Sequence, residues 1–198
     1  DASMVGSMGA QASASIGLME TTMWLLGSIC SAAAAGFYVQ VSHQLGSNDP
    51  ARARNTLRQG IMSVLVVSAL IGLVSLAVSP FLPVWLGGGS DITPTASAYF
   101  AIVATALPIF QFSMFSQGML RSSGNMLVPS IMSVVMMSLD VVFNFFLIFP
   151  TRPVQLFGAE VTIPGMGMGV VGAAIGTVSA ELVAASITMY ILCFRSKE

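Results

Sequence analysis

The sequence predicts an all-α membrane protein, a polytopic bundle of transmembrane helices. Three observations carry that prediction. Apolar runs of about 20 residues, the length needed to cross a bilayer, recur along the chain. Hydrophobic residues make up 55% of the sequence and charged residues only 8%, where a soluble domain holds ~25% charged residues. The apolar runs also lack the two-residue alternation that a transmembrane barrel requires. Mean hydropathy is +0.86. The formal net charge is −1 at pH 7, and no basic run is long enough to form a nucleic-acid footprint. Cys30 and Cys193 lie in or at the edge of apolar spans, far apart in sequence. Two such cysteines read as small packing residues rather than a disulfide framework or a metal site. The chain opens on Asp1 with no basic n-region, so no signal peptide is expected, and it reads as an excised piece of a longer protein.

The spans can be taken in order, within a single transmembrane domain covering residues 1–198. Residues 1–9, DASMVGSMG, are too short to cross and read as the tail of a helix closed by glycines. The first full span is expected at 11–44, long enough to tilt or protrude. Asn48-Asp49-Pro50 then marks a helix start, with proline in the first turn. The second span, 56–78, is rich in Val, Leu and Ile and stops before Pro80 and Pro83. LGGGSDITP is a loop by its glycines and Pro94. The third span, 96–120, contains Pro108, which predicts a kink. A short turn, LRSSGN, leads to the fourth span, 126–149. A glycine- and proline-rich connection leads to the fifth, 170–194.

Five spans alternate sides. Arg52, Arg54, Arg58, Arg121, Arg195 and Lys197 then fall on one side and only Arg152 on the other, six against one. The positive-inside rule makes the arginine-rich side cytoplasmic, in a multi-pass protein of the plasma or inner membrane.

Polar groups inside the spans are few and placed in register. Ser130, Ser133, Met137, Asp140 and Asn144 share one helical face within an arc of roughly 80°. Asp140 and Asn144 lie roughly 13 and 7 Å in from the outer end of their span. Glu20 in the first span lies about 13 Å in, and Thr177 and Glu181 in the fifth lie roughly 10 and 16 Å in. Asp1 sits close to an outer-side turn, so all six groups can share one layer in the outer half. A carboxylate in hydrocarbon is costly and persists where it faces a protein interior or a wet cavity. Ion or proton handling is therefore the reading for Asp140, with a structural hydrogen bond as the competing one. Glu20, Ser133, Met137 and Glu181 are candidates for the wall of a substrate cavity, and helix packing competes for Glu20 and Glu181. Gly172, Gly176, Ala180 and Ala184 form a small-residue stripe that lets another helix approach closely. His43 reads as a solvated boundary residue. No HExxH, GxSxG or paired Cys and His is present, which excludes the common membrane-enzyme constellations.

Several segments together resemble the multidrug and toxic-compound extrusion (MATE) transporters. Asp1 followed by MVGSMGA resembles the end of that family's first helix. VSHQLGSNDPARAR resembles its first cytoplasmic loop, and SQGMLRSSGNMLVPS the turn between its fourth and fifth helices. LDVVFNFFLIF followed by GMGVVGAAIGT resembles its fifth helix and the start of its sixth. The resemblance implies the amino-terminal lobe of a twelve-helix, two-lobed transporter: the end of helix 1 plus five transmembrane helices. The carboxy-terminal lobe of the same polypeptide would be its partner.

By the same resemblance, Asp1, Asp140, Asn144 and Thr177 form a site for a coupling Na⁺ or H⁺. The family's usual order on the fifth helix is Asn then Asp, and here it is Asp140 then Asn144. The implied activity is antiport of amphipathic, often cationic organic compounds, in contact with membrane lipid, with no organic cofactor and no metal beyond Na⁺. The alternatives are a flippase for lipids or lipid-linked saccharides, and a non-transporting membrane subunit. Against the flippase, the charged residues deep inside the spans, Glu20, Asp140 and Glu181, are acidic, and Arg58 and His43 stand only at span ends.

Overall fold

A computed structural model describes residues 6, 7, 9–156 and 159–192, with only the backbone described over 152–164. Seven helices and one hairpin are described: α1 Ala10–Gly46, α2 Pro50–Val78, α3 Leu82–Trp85, α4 Thr93–Thr105, α5 Leu107–Ser122, α6 Leu127–Ile148, β1 Pro150–Leu156, β2 Ala159–Met166 and α7 Gly169–Tyr190. Four helices among the described residues (α1, α2, α6 and α7) are long and apolar enough to cross a membrane, and α4 with α5, bent by 47° at the break between them, brings the number to five where the pair counts as one span. Asp1 and the segment Arg195–Lys197 lie outside the described residues.

The boundaries follow local chemistry. Asn48 takes a left-handed φ of 59° to close α1, and the Asp49 carboxylate then accepts the Arg52 amide at 3.1 Å. Pro50 costs α2 nothing in its first turn, where no helical acceptor awaits its missing N–H. The bend between α4 and α5 falls at Ala106, two residues before Pro108. Pro108 supplies no N–H to the carbonyl four residues back, that of Ala104. Helix α2 crosses at that point through Gly72, where a β-carbon would sit 2.9 Å from the Ala104 oxygen.

Packing depends on small residues. In lipid no hydrophobic force drives helices together, so close van der Waals approach carries the association. Gly60 and Gly118 receive the rings of Phe115 and Tyr38. Phe37 meets Phe115 edge-on at 6.3 Å, and Val41, Ala53, Val64, Met119 and Leu120 complete this cluster. A second cluster, Ile16, Ile148, Val170 and Ala173, lies near the hairpin. A third gathers Met19, Ala96, Phe100 and Ala104.

The connection between α6 and α7 is a structured antiparallel ribbon rather than an open loop. Strands β1 and β2 pair with Val154 opposite Val161 and Gln155 opposite Glu160. The Thr151 hydroxyl donates to the Gly165 carbonyl at 3.2 Å and accepts the Gly165 amide at 3.1 Å. The ribbon returns the chain to the end of α6, where Gly167 and Met168 donate to the Phe149 and Leu147 carbonyls at 3.0 and 2.9 Å. It thereby sets the antiparallel register of α6 on α7, the most extensive helix–helix contact in the described lobe.

Candidate functional site

The α6–α7 register determines which polar groups meet. Gly172 packs on the Leu147 carbonyl, and one turn on, Gly176 packs on the Asn144 side chain so closely that a β-carbon there would overlap the amide. All four small residues of the stripe, Gly172, Gly176, Ala180 and Ala184, are buried. The stripe therefore serves helix packing, and it delivers Thr177 and Glu181 to the level of Asn144 and Asp140. Asn144 is fully buried, with 0% exposure. Asp140, one turn earlier, is half-buried, and its Oδ1 is enclosed without a hydrogen-bond partner among the described residues. Thr177 is half-buried beside Gly176.

Glu181 is buried within the described helices. It is 6% exposed, accepts a hydrogen bond from Ser113 on α5, and lies within electrostatic range of Asp140. A polar chain continues from there: Gln117 Nε2 donates to the Ser113 hydroxyl at 3.3 Å, and Ser133 on α6 reaches Gln117 Oε1 at 3.4 Å. The Ser133 hydroxyl also bonds the Pro129 carbonyl at 2.9 Å. Tyr99 on α4 stands within electrostatic range of both Glu20 and Asp140.

The face of α6 that reads as one stripe in sequence is thus graded in burial. Asn144 is buried, Asp140 and Ser133 are half-buried, and Met137 is 67% exposed. The difference arises because α7 covers one end of the stripe only. Glu20 is exposed, and Trp24 on the same face of α1 is exposed as well. His43 is exposed in the last turn of α1. Asp1, the fourth member of the expected coupling set, lies outside the described residues. Among the described residues, no three His, Cys, Asp or Glu side chains cluster as a metal site would need.

Tyr99, Ser113 and Gln117 are the polar residues that sequence reading passed over. The signal was present: Ser113 and Gln117 stand one turn apart in an apolar span, the same pattern as Asp140 and Asn144.

Chemically, the α6–α7 contact offers a carboxylate oxygen, an amide oxygen and a hydroxyl oxygen. These are hard donors of the kind that bind Na⁺ or accept a proton. Among the described residues the basic side chains within these helices stand in the first three turns of α2 (Arg52, Arg54, Arg58) and the last turn of α5 (Arg121).

Comparison with known proteins gives concordant matches. The chain is 24% identical over 198 residues to an FAD transporter of Shewanella oneidensis, an alignment covering 100% of this chain and 41% of that protein. It is 24% identical over 202 residues to a probable multidrug resistance protein NorM of Thermotoga maritima, covering 100% of this chain and 40% of that protein. Among solved structures, a MATE in the bent conformation superposes with a TM-score of 0.87 at 19% identity, over 100% of this chain and 41% of that one. A MOP superfamily transporter from Pyrococcus furiosus, reported with a binding pocket of reverse polarity that suggests a different function, gives 0.82 at 21% identity. It covers 99% of this chain and 40% of that one. The chain spans about two fifths of the length of these relatives, and at such identities the structures speak for the fold alone. The family model described as MatE matches residues 1–146, nearly three quarters of the sequence, and with that match the chain belongs to the MatE family.

Proposed function

We propose that this chain is one lobe of a secondary active exporter. In this reading a cation, Na⁺ or H⁺, binds at Asp140, Asn144 and Thr177, with Asp1 completing the set. The observation that carries the reading is the enclosed Oδ1 of Asp140, without a hydrogen-bond partner among the described residues and one turn from a fully buried Asn144. An enclosed carboxylate oxygen left without a partner is costly, and a bound Na⁺ or proton offsets that cost. The cation's differential affinity for two states of the lobe then biases the equilibrium between them, and rocking of this lobe against a second gives alternating access.

Export of amphipathic, often cationic organic compounds is the substrate reading. It rests on the acidic character of Glu20 and Asp140, on the exposed Met137 thioether one turn from Asp140 on α6, which adapts to varied apolar shapes, and on the relative named as a multidrug resistance protein. The open end of the α6 stripe, from Met137 toward Ser130, is where a second lobe would enclose a cleft. The arginine-rich loops face the cytoplasm by the positive-inside count. A second reading has one specific support, the equally similar FAD transporter. A dinucleotide brings a pyrophosphate, which the acidic groups of this lobe disfavour, so the cationic substrate is preferred.

The test is efflux from proteoliposomes of the full-length protein, with Na⁺ and pH gradients imposed separately. One gradient should drive efflux of a cationic dye, and Asp140→Asn and Asp1→Asn should each abolish coupling while the protein still inserts. Unaltered efflux in both variants would sink the site assignment. Efflux of FAD but of no cationic compound would favour the second reading.

A further inference from the structure

We propose that the arginine-rich end of the lobe binds an anionic phospholipid, with the headgroup phosphate held by Arg54 and Arg58 and the acyl chains laid on the apolar wall beneath them. A cavity of about 1180 Å³ opens at this end, between the last turn of α1, the first turns of α2, the α5–α6 turn and Leu192. Its size exceeds the ~300–1,000 Å³ of a typical small-molecule pocket, and it has room for a headgroup and the upper part of its chains.

The wall has the polarity of an amphiphile. Arg54, Leu57, Arg58 and Ile61 line the cavity from α2 at the i, i+3, i+4, i+7 spacing of one helical face. The two guanidiniums stand toward the start of the helix and the apolar side chains follow, with Leu120 and Leu192 opposite. Both arginines are exposed. The nearest acid in sequence, Asp49, is held by Arg52 at 3.1 Å, and among the described residues no acid lines the cavity. Two guanidiniums with no acid beside them among the described residues, above a hydrocarbon wall, favour an acyl-chain lipid whose phosphodiester headgroup is net negative over a zwitterionic or cationic one. The position also fits, because the arginines stand where the apolar stretch of α2 begins, at headgroup level, where basic pockets between helices capture anionic lipids. This inference rests on the membrane reading of the chain and is independent of the transport reading.

The test uses full-length protein in nanodiscs of phosphatidylcholine mixed with phosphatidylglycerol, with native mass spectrometry counting the lipids that stay bound. The parent should retain phosphatidylglycerol in preference to phosphatidylcholine. Each arginine near a membrane surface accounts for about a 5-fold change in anionic-lipid affinity, so R54Q/R58Q should lose about 30-fold. R52Q, whose side chain lies outside the cavity lining, should retain the parental preference. Ile61→Gln should weaken retention with the charge unchanged. Equal retention by the parent and R54Q/R58Q would overturn the proposal. So would loss of the bound lipid to glycerol phosphate at equimolar concentration, which would make the acyl chains irrelevant. A parent that retains no phosphatidylglycerol, because later polypeptide fills the cavity, would overturn it too.

Discussion

Replacing Gly176 with alanine probes the α6–α7 register on which the candidate site depends. In an open helix the change favours folding, since alanine is better than glycine in helices by about 1 kcal/mol. Gly36 on α1 supplies that reference, because a β-carbon there meets nothing within 4 Å. At Gly176 the same carbon overlaps the Asn144 amide and comes within 3.3 Å of the Asn144 backbone nitrogen. Overpacking of this kind costs about 1–3 kcal/mol. Because the intrinsic helix preference is common to both variants, the difference between them isolates the clash. At ~2 °C per kcal/mol, Gly176→Ala should melt about 2–6 °C below Gly36→Ala. The assay is thermal unfolding of the full-length protein in detergent. Shortening the obstacle should relieve the effect: Asn144→Ser in the Gly176→Ala background should recover about 1 kcal/mol as a coupling term. If Gly176→Ala melts with or above Gly36→Ala, α7 does not seat on Asn144 and the placement of Thr177 at the level of Asn144 fails with it.

The same logic extends to four other positions. Gly72→Val should destabilise by about 1–3 kcal/mol, because its side chain meets the Ala104 carbonyl at the α4–α5 bend and a backbone oxygen cannot swing away; an unchanged melting temperature would count against the crossing. Glu181→Gln keeps an oxygen to accept the Ser113 hydroxyl and should melt near the parent. Glu181→Leu leaves that hydroxyl without its partner and should cost about 1–3 kcal/mol; equal melting of the two would remove the Ser113 link. Asp49→Ala should lower stability by about 1 kcal/mol through loss of the α2 cap, whereas Arg52→Ala, which breaks only an exposed ion pair, should leave melting unchanged. Equal losses in both would mean that the pair, and not the cap, matters.

Much of the fold is legible in the sequence because a bilayer imposes one length and one composition on each span. Asn48-Asp49-Pro50 and Pro108 mark a helix start and a break by backbone sterics alone, and both sit where the chain turns or bends. The β1–β2 ribbon is not legible in the same way. Val154, Val161, Thr162 and Ile163 are strand formers, but Pro153, Pro164 and Gly165 interrupt them, and pairing rests on a long-range register that no local pattern displays. The candidate site divides similarly. The one-turn spacing of Asp140 and Asn144 is a sequence fact, and so is the small-residue stripe facing them. Their unequal burial is not, since it depends on where α7 stops covering α6. Tyr99 and the Ser113–Glu181 contact join helices far apart in the chain, and only the packed lobe brings them into range.

The central claim is that Asp140 carries the ion whose binding shifts the transporter between its two states. Linkage offers the most direct measurement: the affinity of a cationic substrate for purified full-length protein, determined with and without the coupling ion, in the parent and in Asp140→Asn. Coupling is reciprocal and typically changes affinity by about 5–150-fold. The parent should show a shift in that range and Asp140→Asn should show none, its substrate affinity the same at either ion concentration. An undiminished shift in Asp140→Asn would place the ion elsewhere and contradict the account.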